Sequence, residues 1–180
     1  TGNFKIGDTL TTGDKLQFKG IPSFSPEHFR FINNNDPLKS KQLAKGLNQL
    51  MDDGVAELFT LDLDGRKVIG TVGALQFAVI QYRLLHEYGA KCNFENLNVY
   101  KACWIEANDD NADFKEFQRI KQKFLAKDKN GKLVFLADSA FSLQMTQEKF
   151  KEIKFHYTSE YWTKYNRNSN CGYILFKPLL

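Results

Sequence analysis

The sequence predicts an α+β fold in which an antiparallel sheet carries helices on one face. The main observation is that residues 20–98 show strand, helix, strand, strand, helix and strand patterns in that order. Such an order lets four strands form one sheet while both helices pack against the same side of it. Residues 99–160 repeat the alternation less completely, which predicts a second small α/β layer. A hydrophobic content of 42% with 16 Phe is sufficient for a packed core.

The two helices of the first module have recognisable ends. Asp36 followed by Pro37 combines a capping side chain with the residue best tolerated at the first helical position. Gly54 and Gly89 predict where the two helices stop. The first helix is predicted to bury the apolar residues that recur at helical spacing, Leu43, Leu47, Leu50 and Met51. The second helix is predicted to bury Phe77, Ile80, Leu84 and Tyr88.

The strands of this module are separated by turn signals. Four strands are predicted, over residues 24–33, 55–62, 67–72 and 91–99. In the first strand Phe29 and Phe31 lie on one face, and Asp64–Gly65 forms the tight turn between the middle two strands. With the two helices, these segments have the order of the ferredoxin-like fold.

The second module is predicted from weaker patterns. Its strands are expected over residues 99–106, 133–137 and 153–157, and its helices over residues 112–127 and 139–153. The earlier of these helices is predicted to bury Phe114, Phe117, Phe124 and Leu125, and Asn130–Gly131 marks a hairpin-type turn.

Four segments are predicted along the chain: the end of a β-barrel domain (1–20), the ferredoxin-like part (21–98), the second α/β part (99–160) and a C-terminal tail of open status (161–180). The first segment alternates polar and apolar residues on both sides of Thr12–Asp14, which indicates a hairpin. Because two strands alone are marginally stable and the chain starts inside this pattern, we expect a fragment of a longer protein.

Charge and cysteine content restrict the class of protein. The formal net charge of +4 permits contact with an acidic partner such as RNA but does not require one. The three cysteines are widely spaced and form no CxxC pair, which indicates a reducing compartment, and we expect the cytoplasm. No apolar run approaches the roughly 20 residues of a membrane-spanning helix.

The sequence contains no recognisable catalytic, cofactor or metal motif. A GxxxxGK[ST] phosphate loop and a GxSxG nucleophile turn are both absent. Asp62–Gly65 and Asp128–Gly131 are predicted to be plain turns, since neither completes a nucleotide or calcium site. Cys103 is predicted to be a small buried hydrophobe, Ser139 a helix cap, and His86 a surface residue.

Basic side chains are therefore the candidate functional residues. They lie at outward positions of the three helices and in the hairpin turn, where they could meet phosphates or simply form a solvated charged surface. The candidates for contact with a ribosome or its RNA are Lys41, Lys45, Arg66, Lys67, Arg83, Lys115, Arg119 and Lys123.

Several runs of the sequence resemble the bacterial peptide chain release factor 3 family. They include Phe18–Glu27, Asp36–Lys39, Gln42–Leu47 and Gly70–Phe77, and the stretch from Gly20 to Arg83 is the specific part. Phe4–Leu10 and Arg83–Leu84 add to the resemblance, which covers roughly residues 1–158 and leaves the tail unmatched. The run Gly73–Gln76 is also similar to a helix start in the third, ferredoxin-like domain of elongation factor G.

This resemblance implies a translational GTPase with a G domain, a β-barrel domain and a third domain. The full protein would bind the ribosome, through small-subunit protein and ribosomal RNA, and drive class I release factors off after peptide release. GTP or GDP and Mg²⁺ would bind in the missing G domain, so this fragment would have no enzymatic activity. We also expect a monomer without membrane contact. Two alternatives from other classes are a stand-alone ferredoxin-like module that regulates or binds a small ligand, and a self-contained enzyme.

Overall fold

The computed structural model describes residues 25–108 and 111–159, together with Thr12. The predicted N-terminal hairpin, the segment 1–20 and the tail 161–180 lie outside the described residues, apart from that one threonine. The strands are β1 (His28–Asn34), β2 (Glu57–Leu61), β3 (Lys67–Thr71), β4 (Cys92–Asn96), β5 (Lys101–Glu106), β6 (Leu125–Lys127), β7 (Leu133–Ala137) and β8 (Lys154–His156). The helices are α1 (Ser40–Asp52), α2 (Gln76–Tyr88), α3 (Ala112–Lys121) and α4 (Ala140–Lys149), with short 3-10 turns at Pro37–Lys39 and Gln122–Phe124.

The predicted α+β class with an antiparallel sheet is confirmed. Eight strands form one sheet in the order β4-β1-β3-β2-β6-β7-β5-β8, and the neighbouring strands run antiparallel. The N-terminal half (28–96) and the C-terminal half (101–156) each contain strand, helix, strand, strand, helix and strand. Within each half the fourth strand pairs with the first, the first with the third, and the third with the second.

The two halves meet through β2 and β6, where the prediction for the C-terminal half was wrong. A helix was expected over residues 112–127, but α3 ends at Lys121 and the chain turns into β6. Strand β6 pairs with β2 through Leu61↔Ala126 and with β7 through Leu125↔Phe135. Leu125 and Ala126 are almost fully buried, so tertiary packing and sheet hydrogen bonds outweigh local helical periodicity here.

The sheet curls so that its helix-free face closes on itself. In the strand order β2 and β5 are three positions apart, a distance of about 14 Å in a flat sheet. The rings of Phe59 on β2 and Trp104 on β5 nevertheless have centroids only 6.0 Å apart. The resulting shared core draws on both halves and consists of Phe29, Phe31, Phe59, Leu61, Val68, Ala102, Trp104, Ala126, Val134 and Leu136.

All four helices pack on the other face of the sheet, which is the outside of the curl. Helices α1 and α2 cover the N-terminal half, where Ile32, Leu58 and Ile69 point toward them. Helices α3 and α4 cover the C-terminal half over Cys103 and Phe135. Since the shared core separates the halves, the two helical layers lie on opposite sides of the molecule.

Local sequence accounts for the ends of α1 and α2. Asp36 Oδ1 accepts a hydrogen bond of 3.0 Å from the Leu38 backbone N–H, and Pro37 begins the short 3-10 turn that leads into α1. Gly89 follows α2 with φ of 63°, a left-handed conformation that glycine adopts without steric cost. Within the described ranges, none of the helices is long and apolar enough to cross a bilayer.

Candidate functional site

Lys41 and Lys45 lie one turn apart on the outward face of α1. The opposite face of this helix buries Leu43, Leu47 and Leu50, which orients the two lysines toward solvent. Both lysines are exposed, and within 25–108 and 111–159 neither ammonium has a hydrogen-bond or ion-pair partner. This pair of positive charges is therefore available to an external anion.

Arg66 and Lys67 occupy the β2–β3 hairpin, and both side chains have contacts within the chain. Arg66 Nε donates to Asp64 Oδ2 at 2.6 Å, and its guanidinium lies 4.1 Å from the centroid of the Phe31 ring. The backbone N–H of Arg66 also donates to Asp64, and this bond, followed by the side-chain bond, lowers the pKa of that carboxyl. Lys67 Nζ lies 3.5 Å from Thr60 Oγ1. The contacts of the Arg66 side chain therefore stabilise the hairpin to which it belongs.

Arg83 on α2 likewise forms ion pairs with neighbouring acids. Its guanidinium donates to Glu87 at 2.7 Å and to Asp53, beyond the end of α1, at 3.2 Å. The hydrogen bond to Glu87 is the main reason why the pKa of Arg83 is raised above its ordinary value. Arg83 therefore connects α2 to α1, and its charge is partly compensated before any partner binds.

The third group of candidates is exposed on the opposite helical layer. Lys115 and Arg119 lie four residues apart on α3, and Glu116 beside them is paired with Lys149 at 2.9 Å. That hydrogen bond from Lys149 is the main cause of the lowered pKa of Glu116. Lys123 was predicted to continue the same helical row, but α3 ends at Lys121 and Lys123 lies in the following 3-10 turn.

The eight candidate residues consequently form three separate surfaces. The α1 pair and Arg83 belong to one helical layer, the Arg66–Lys67 pair to a hairpin, and the α3 group to the opposite layer. That they contact a ribosome or its RNA remains a prediction. Among the described residues, the α1 pair and the α3 group are the surfaces whose positive charges are least paired with acidic side chains.

Residues considered for catalysis have structural roles. Cys103 is fully buried, and burial raises the pKa of its thiol to about 12, so it remains a protonated hydrophobe. Ser139 Oγ caps α4 by accepting from the Ser142 backbone N–H at 3.1 Å. His86 is exposed, and its ring lies tilted against Tyr82 with ring centroids 4.2 Å apart. No cluster of three or more potential metal-ligating side chains occurs in the part of the chain that the structure describes.

The Asp128–Gly131 turn has a structural role that was not predicted from the sequence. Asp128 Oδ1 accepts from the backbone N–H groups of Asn130 and Lys132 at 2.8 and 2.9 Å, which shapes the β6–β7 hairpin. Its other oxygen accepts from Trp104 Nε1 at 3.0 Å. One carboxylate thus holds the turn and satisfies the only polar atom of the largest side chain in the shared core.

Sequence reasoning also missed an exposed apolar face on α2. It identified the buried stripe of this helix but not a second stripe on the opposite side, formed by Leu75, Val79 and Tyr82. Their spacing of four and three residues is a helical signal that was visible in the sequence. It was obscured because α2 is apolar on two faces.

A comparison with protein families agrees with this architecture. The family described as class II release factor RF3, C-terminal domain, matches residues 18–147, which is more than half of the chain and most of the described structure. The matched range includes β1 to β7 and all of α1, α2 and α3. The chain therefore belongs to the family of class II release factor RF3 C-terminal domains.

Proposed function

We propose that this chain is the ribosome-docking part of a translation-termination GTPase that releases and recycles class I release factors after peptide release. The single observation that carries this proposal is the family match over residues 18–147. The exposed basic side chains on two helical layers support it, since ribosomal RNA is the acidic surface that such a factor would meet. Nothing in the family match favours the stand-alone ligand-binding module considered above.

We further propose that each half is a ferredoxin-like unit. The order β4-β1-β3-β2 with both helices on one face supports this interpretation for the N-terminal half. The order β8-β5-β7-β6 supports it for the C-terminal half. In this view the domain is a tandem of two such units joined edge to edge.

The mechanism we propose uses this tandem as a rigid lever. The shared core buries aromatic residues from both halves, so a force applied to one helical layer is transmitted to the other. A G domain elsewhere in the full protein would bind GTP or GDP with Mg²⁺ and change orientation on hydrolysis. The lever would convert that change into movement relative to the small subunit.

The proposal assigns no catalysis to this chain. Its 180 residues contain no phosphate-binding loop, and the matched family is a C-terminal domain. We expect a cytoplasmic monomer that neither binds nor hydrolyses guanine nucleotide when purified alone. Stoichiometric binding of GTP or GDP by the purified chain would contradict this part of the proposal.

The docking surface is tested by charge reversal in the full-length factor. Lys41→Glu together with Lys45→Glu should weaken binding to ribosomes because two exposed cations of α1 become anions. Losing two phosphate contacts should reduce the slope of log affinity against log salt concentration by roughly 1.5. The measurement is equilibrium binding to purified ribosomes at several salt concentrations, with circular dichroism of each variant to verify folding.

The matched control is Lys115→Glu with Arg119→Glu, which reverses two exposed charges at the same spacing on the opposite layer. Weaker binding for the α1 variant alone supports docking through α1. Weaker binding for the α3 variant alone transfers the docking surface to that layer. Unchanged affinity and salt dependence for both variants contradicts electrostatic docking of this domain.

A further inference from the structure

Arg30 on β1 is a partly buried cation that lies beside the start of α2. Its strand neighbours Phe29 and Phe31 point into the shared core, so Arg30 points to the helix-bearing face of the sheet, as Ile32 does. Its guanidinium lies 4.6 Å from the centroid of the Phe77 ring. Within 25–108 and 111–159 its side chain forms no hydrogen bond or ion pair. Stacking on the ring therefore orients this charge and leaves its N–H groups free.

The start of α2 is itself a positively polarised surface. The helix begins at Gln76, has no acidic residue in its first turn, and its N-terminal flanking residue Leu75 provides no side-chain cap. The Gln76 side chain accepts hydrogen bonds only from the two backbone N–H groups that precede the turn. Among the described residues, no acceptor is found for the backbone N–H groups of Ala74, Leu75 and Phe77. A cation next to a helix N-terminus is unfavourable unless an anion lies between them.

Thr71 adds a buried hydroxyl at the same end of the sheet. It is 1% exposed, and its Oγ1 has no hydrogen-bond partner in the described structure. Because Ile69 packs against α1 and α2, alternation along β3 places the Thr71 side chain on the helix-bearing face, where β3 leads into α2. Its register partner on β1 is His28, which is exposed. A buried hydroxyl without a partner in a native fold indicates that a ligand or water completes the site.

The acids and the chain segment closest to this point lie on the other face of the sheet. Glu95 on β4 is the register partner of Phe31 and shares its helix-free side, whereas the partner of Arg30 is the neutral Asn96. A Cβ at Gly70 would lie 2.8 Å from Pro26, so the chain before β1 packs on the helix-free face as well. The side of the sheet that carries Arg30 is thus left to the first turn of α2.

A Cβ built at Gly73, in the connection between β3 and α2, would meet no atom within 4 Å. The approach to the unpaired N–H groups is therefore open. Donors converge here from three directions: the Arg30 guanidinium from β1, the Thr71 hydroxyl from β3 and the backbone N–H groups from α2. A phosphate group has enough oxygens to accept from all of them, whereas a carboxylate has only two.

We propose that Arg30, Thr71 and the N-terminal N–H groups of α2 form a binding site for a single phosphate group. We call this the α2 phosphate site. The phosphate could be supplied by a phosphodiester of an RNA chain or by free inorganic phosphate, which offer the same oxygens. The site is separate from the outward lysines of α1, so it can be present whether or not those lysines bind ribosomes.

The α2 phosphate site is tested by NMR titration of the full 180-residue chain at pH 7. Inorganic phosphate should shift the backbone amide signals of residues 73–77 in a saturable manner, whereas sodium chloride at the same ionic strength should not. Arg30→Met keeps an apolar stem on Phe77 but removes the charge, and it should weaken phosphate binding about tenfold. The matched control is Arg119→Met, an exposed arginine on α3, which should leave the affinity unchanged.

Thr71→Val separates a binding role from a structural one. It should weaken phosphate binding about threefold and raise the urea midpoint of the free chain, because it removes an unpaired buried hydroxyl. Circular dichroism verifies the fold of each variant. Arg30→Lys keeps the charge without the planar fork, so it should bind with intermediate affinity and serves if Arg30→Met does not fold.

A parallel titration with hexauridylate RNA identifies the source of the phosphate. Tighter binding than inorganic phosphate, with shifts at the same amides and the same sensitivity to Arg30→Met, assigns the site to an RNA backbone. Saturable shifts with inorganic phosphate alone assign it to the free ion. Absence of shifts at residues 73–77 with both ligands would overturn the proposal. Shifts that chloride reproduces, or that Arg30→Met and Arg119→Met alter equally or not at all, would also overturn it.

Discussion

The two halves of the domain follow the same path but fill their outer cores differently. In the N-terminal half α1 and α2 are each 13 residues long and pack mainly through aliphatic side chains such as Leu47, Leu50 and Ile80. In the C-terminal half α3 and α4 have 10 residues each, and β6 and β8 have only three. There the core contains four buried phenylalanines and is formed around Phe117, which contacts the rings of Phe114, Phe135, Phe150 and Phe155.

This difference shows how a shorter framework can be stabilised. Each Phe buries roughly 150–250 Å², so a few rings replace the area that longer helices would supply. Edge-to-face pairs such as Phe117 with Phe150, 5.5 Å apart, add a preferred geometry. The N-terminal half instead gains contact by close approach of its two helices at Gly46. The shared core then joins the two differently packed halves into one structural unit.

The largest expected effect is from breaking the shared core, which makes the halves depend on each other. Trp104→Ala removes a fully buried side chain and leaves the Asp128 acceptor without its indole donor. We expect a loss of about 3–5 kcal/mol in the free energy of unfolding, measured by urea denaturation. Amide exchange protection at Val68 and Val134 should fall together, because both line this core.

Trp104→Phe is the matched control, since it keeps a ring near Phe59 but lacks the N–H group. It should cost less, about 1–3 kcal/mol. If Trp104→Ala lowers protection at Val134 and leaves Val68 unchanged, the halves are separate folding units.

A smaller effect should sharpen the contrast between the helix pairs. In Gly46→Ala the added methyl would lie 2.7 Å from Leu84 Cδ2 and 2.8 Å from Tyr88 Cγ. Overpacking of about 1–3 kcal/mol opposes a gain in helix propensity of about 1 kcal/mol, so we expect a net loss near 1 kcal/mol. The measurement is again the urea midpoint.

Gly73→Ala is the control, because a Cβ there meets nothing within 4 Å. Its effect should stay within about 0.5 kcal/mol. Neither α3 nor α4 contains a glycine, so this close approach belongs to the N-terminal half. A stabilised Gly46→Ala variant would show that the helices can separate without cost.

The smallest expected loss of stability concerns the edge strands β4 and β8, which differ in the side-chain contacts that join each of them to the neighbouring strand. In the C-terminal half Glu106 on β5 contacts His156 at 2.8 Å and Lys154 at 3.4 Å on the three-residue strand β8. The hydrogen bond from His156, followed by that from Lys154, lowers the pKa of Glu106 below its ordinary value of 4.5. The stabilisation is therefore present above that ordinary pKa and is lost as pH falls through the lowered folded-state pKa.

The measurement compares urea midpoints of Glu106→Gln and the unchanged chain between about pH 3 and pH 7. The destabilisation should be largest at the upper end and shrink toward the acid end. Glu95→Gln on β4 is the matched edge control, since this carboxylate contacts the neutral side chain of Asn33 at 3.4 Å. A Glu106→Gln effect that grows on acidification would contradict the assigned role.

The N-terminal half was predicted well because its signals are local. The Asp36 cap, the buried face of α1 and the turn at Gly65 each depend on residues a few positions apart, and all three occur as predicted. Strand ends differ by a few residues, as for β2, where 55–62 was predicted and Glu57–Leu61 is observed. In the C-terminal half Ser139 was correctly identified as a helix cap for the same reason.

The surfaces were predicted less well because charge pairing and strand pairing alter them. Arg66 and Arg83 were candidates for contact with RNA, but Arg66 pairs with Asp64 in the same hairpin, and Arg83 pairs with Glu87 on its own helix and with Asp53. Lys123 does not continue the predicted line of basic residues on α3, because the chain leaves that helix and enters β6. The family match identifies the class of protein, whereas the docking residues remain predictions for the charge-reversal experiment.

By itself, the sequence determined the order of elements in the N-terminal half, the caps at Asp36 and Ser139, and the buried faces of α1 and α2. These follow from periodicity and from side chains that bond to nearby backbone. Only the tertiary structure decided that α3 stops at Lys121, that β2 and β6 join two halves into one sheet, and that the sheet curls around Phe59 and Trp104. The reason is that strand pairing and ring packing bring together residues more than 40 positions apart. Their energy is not available to any local pattern.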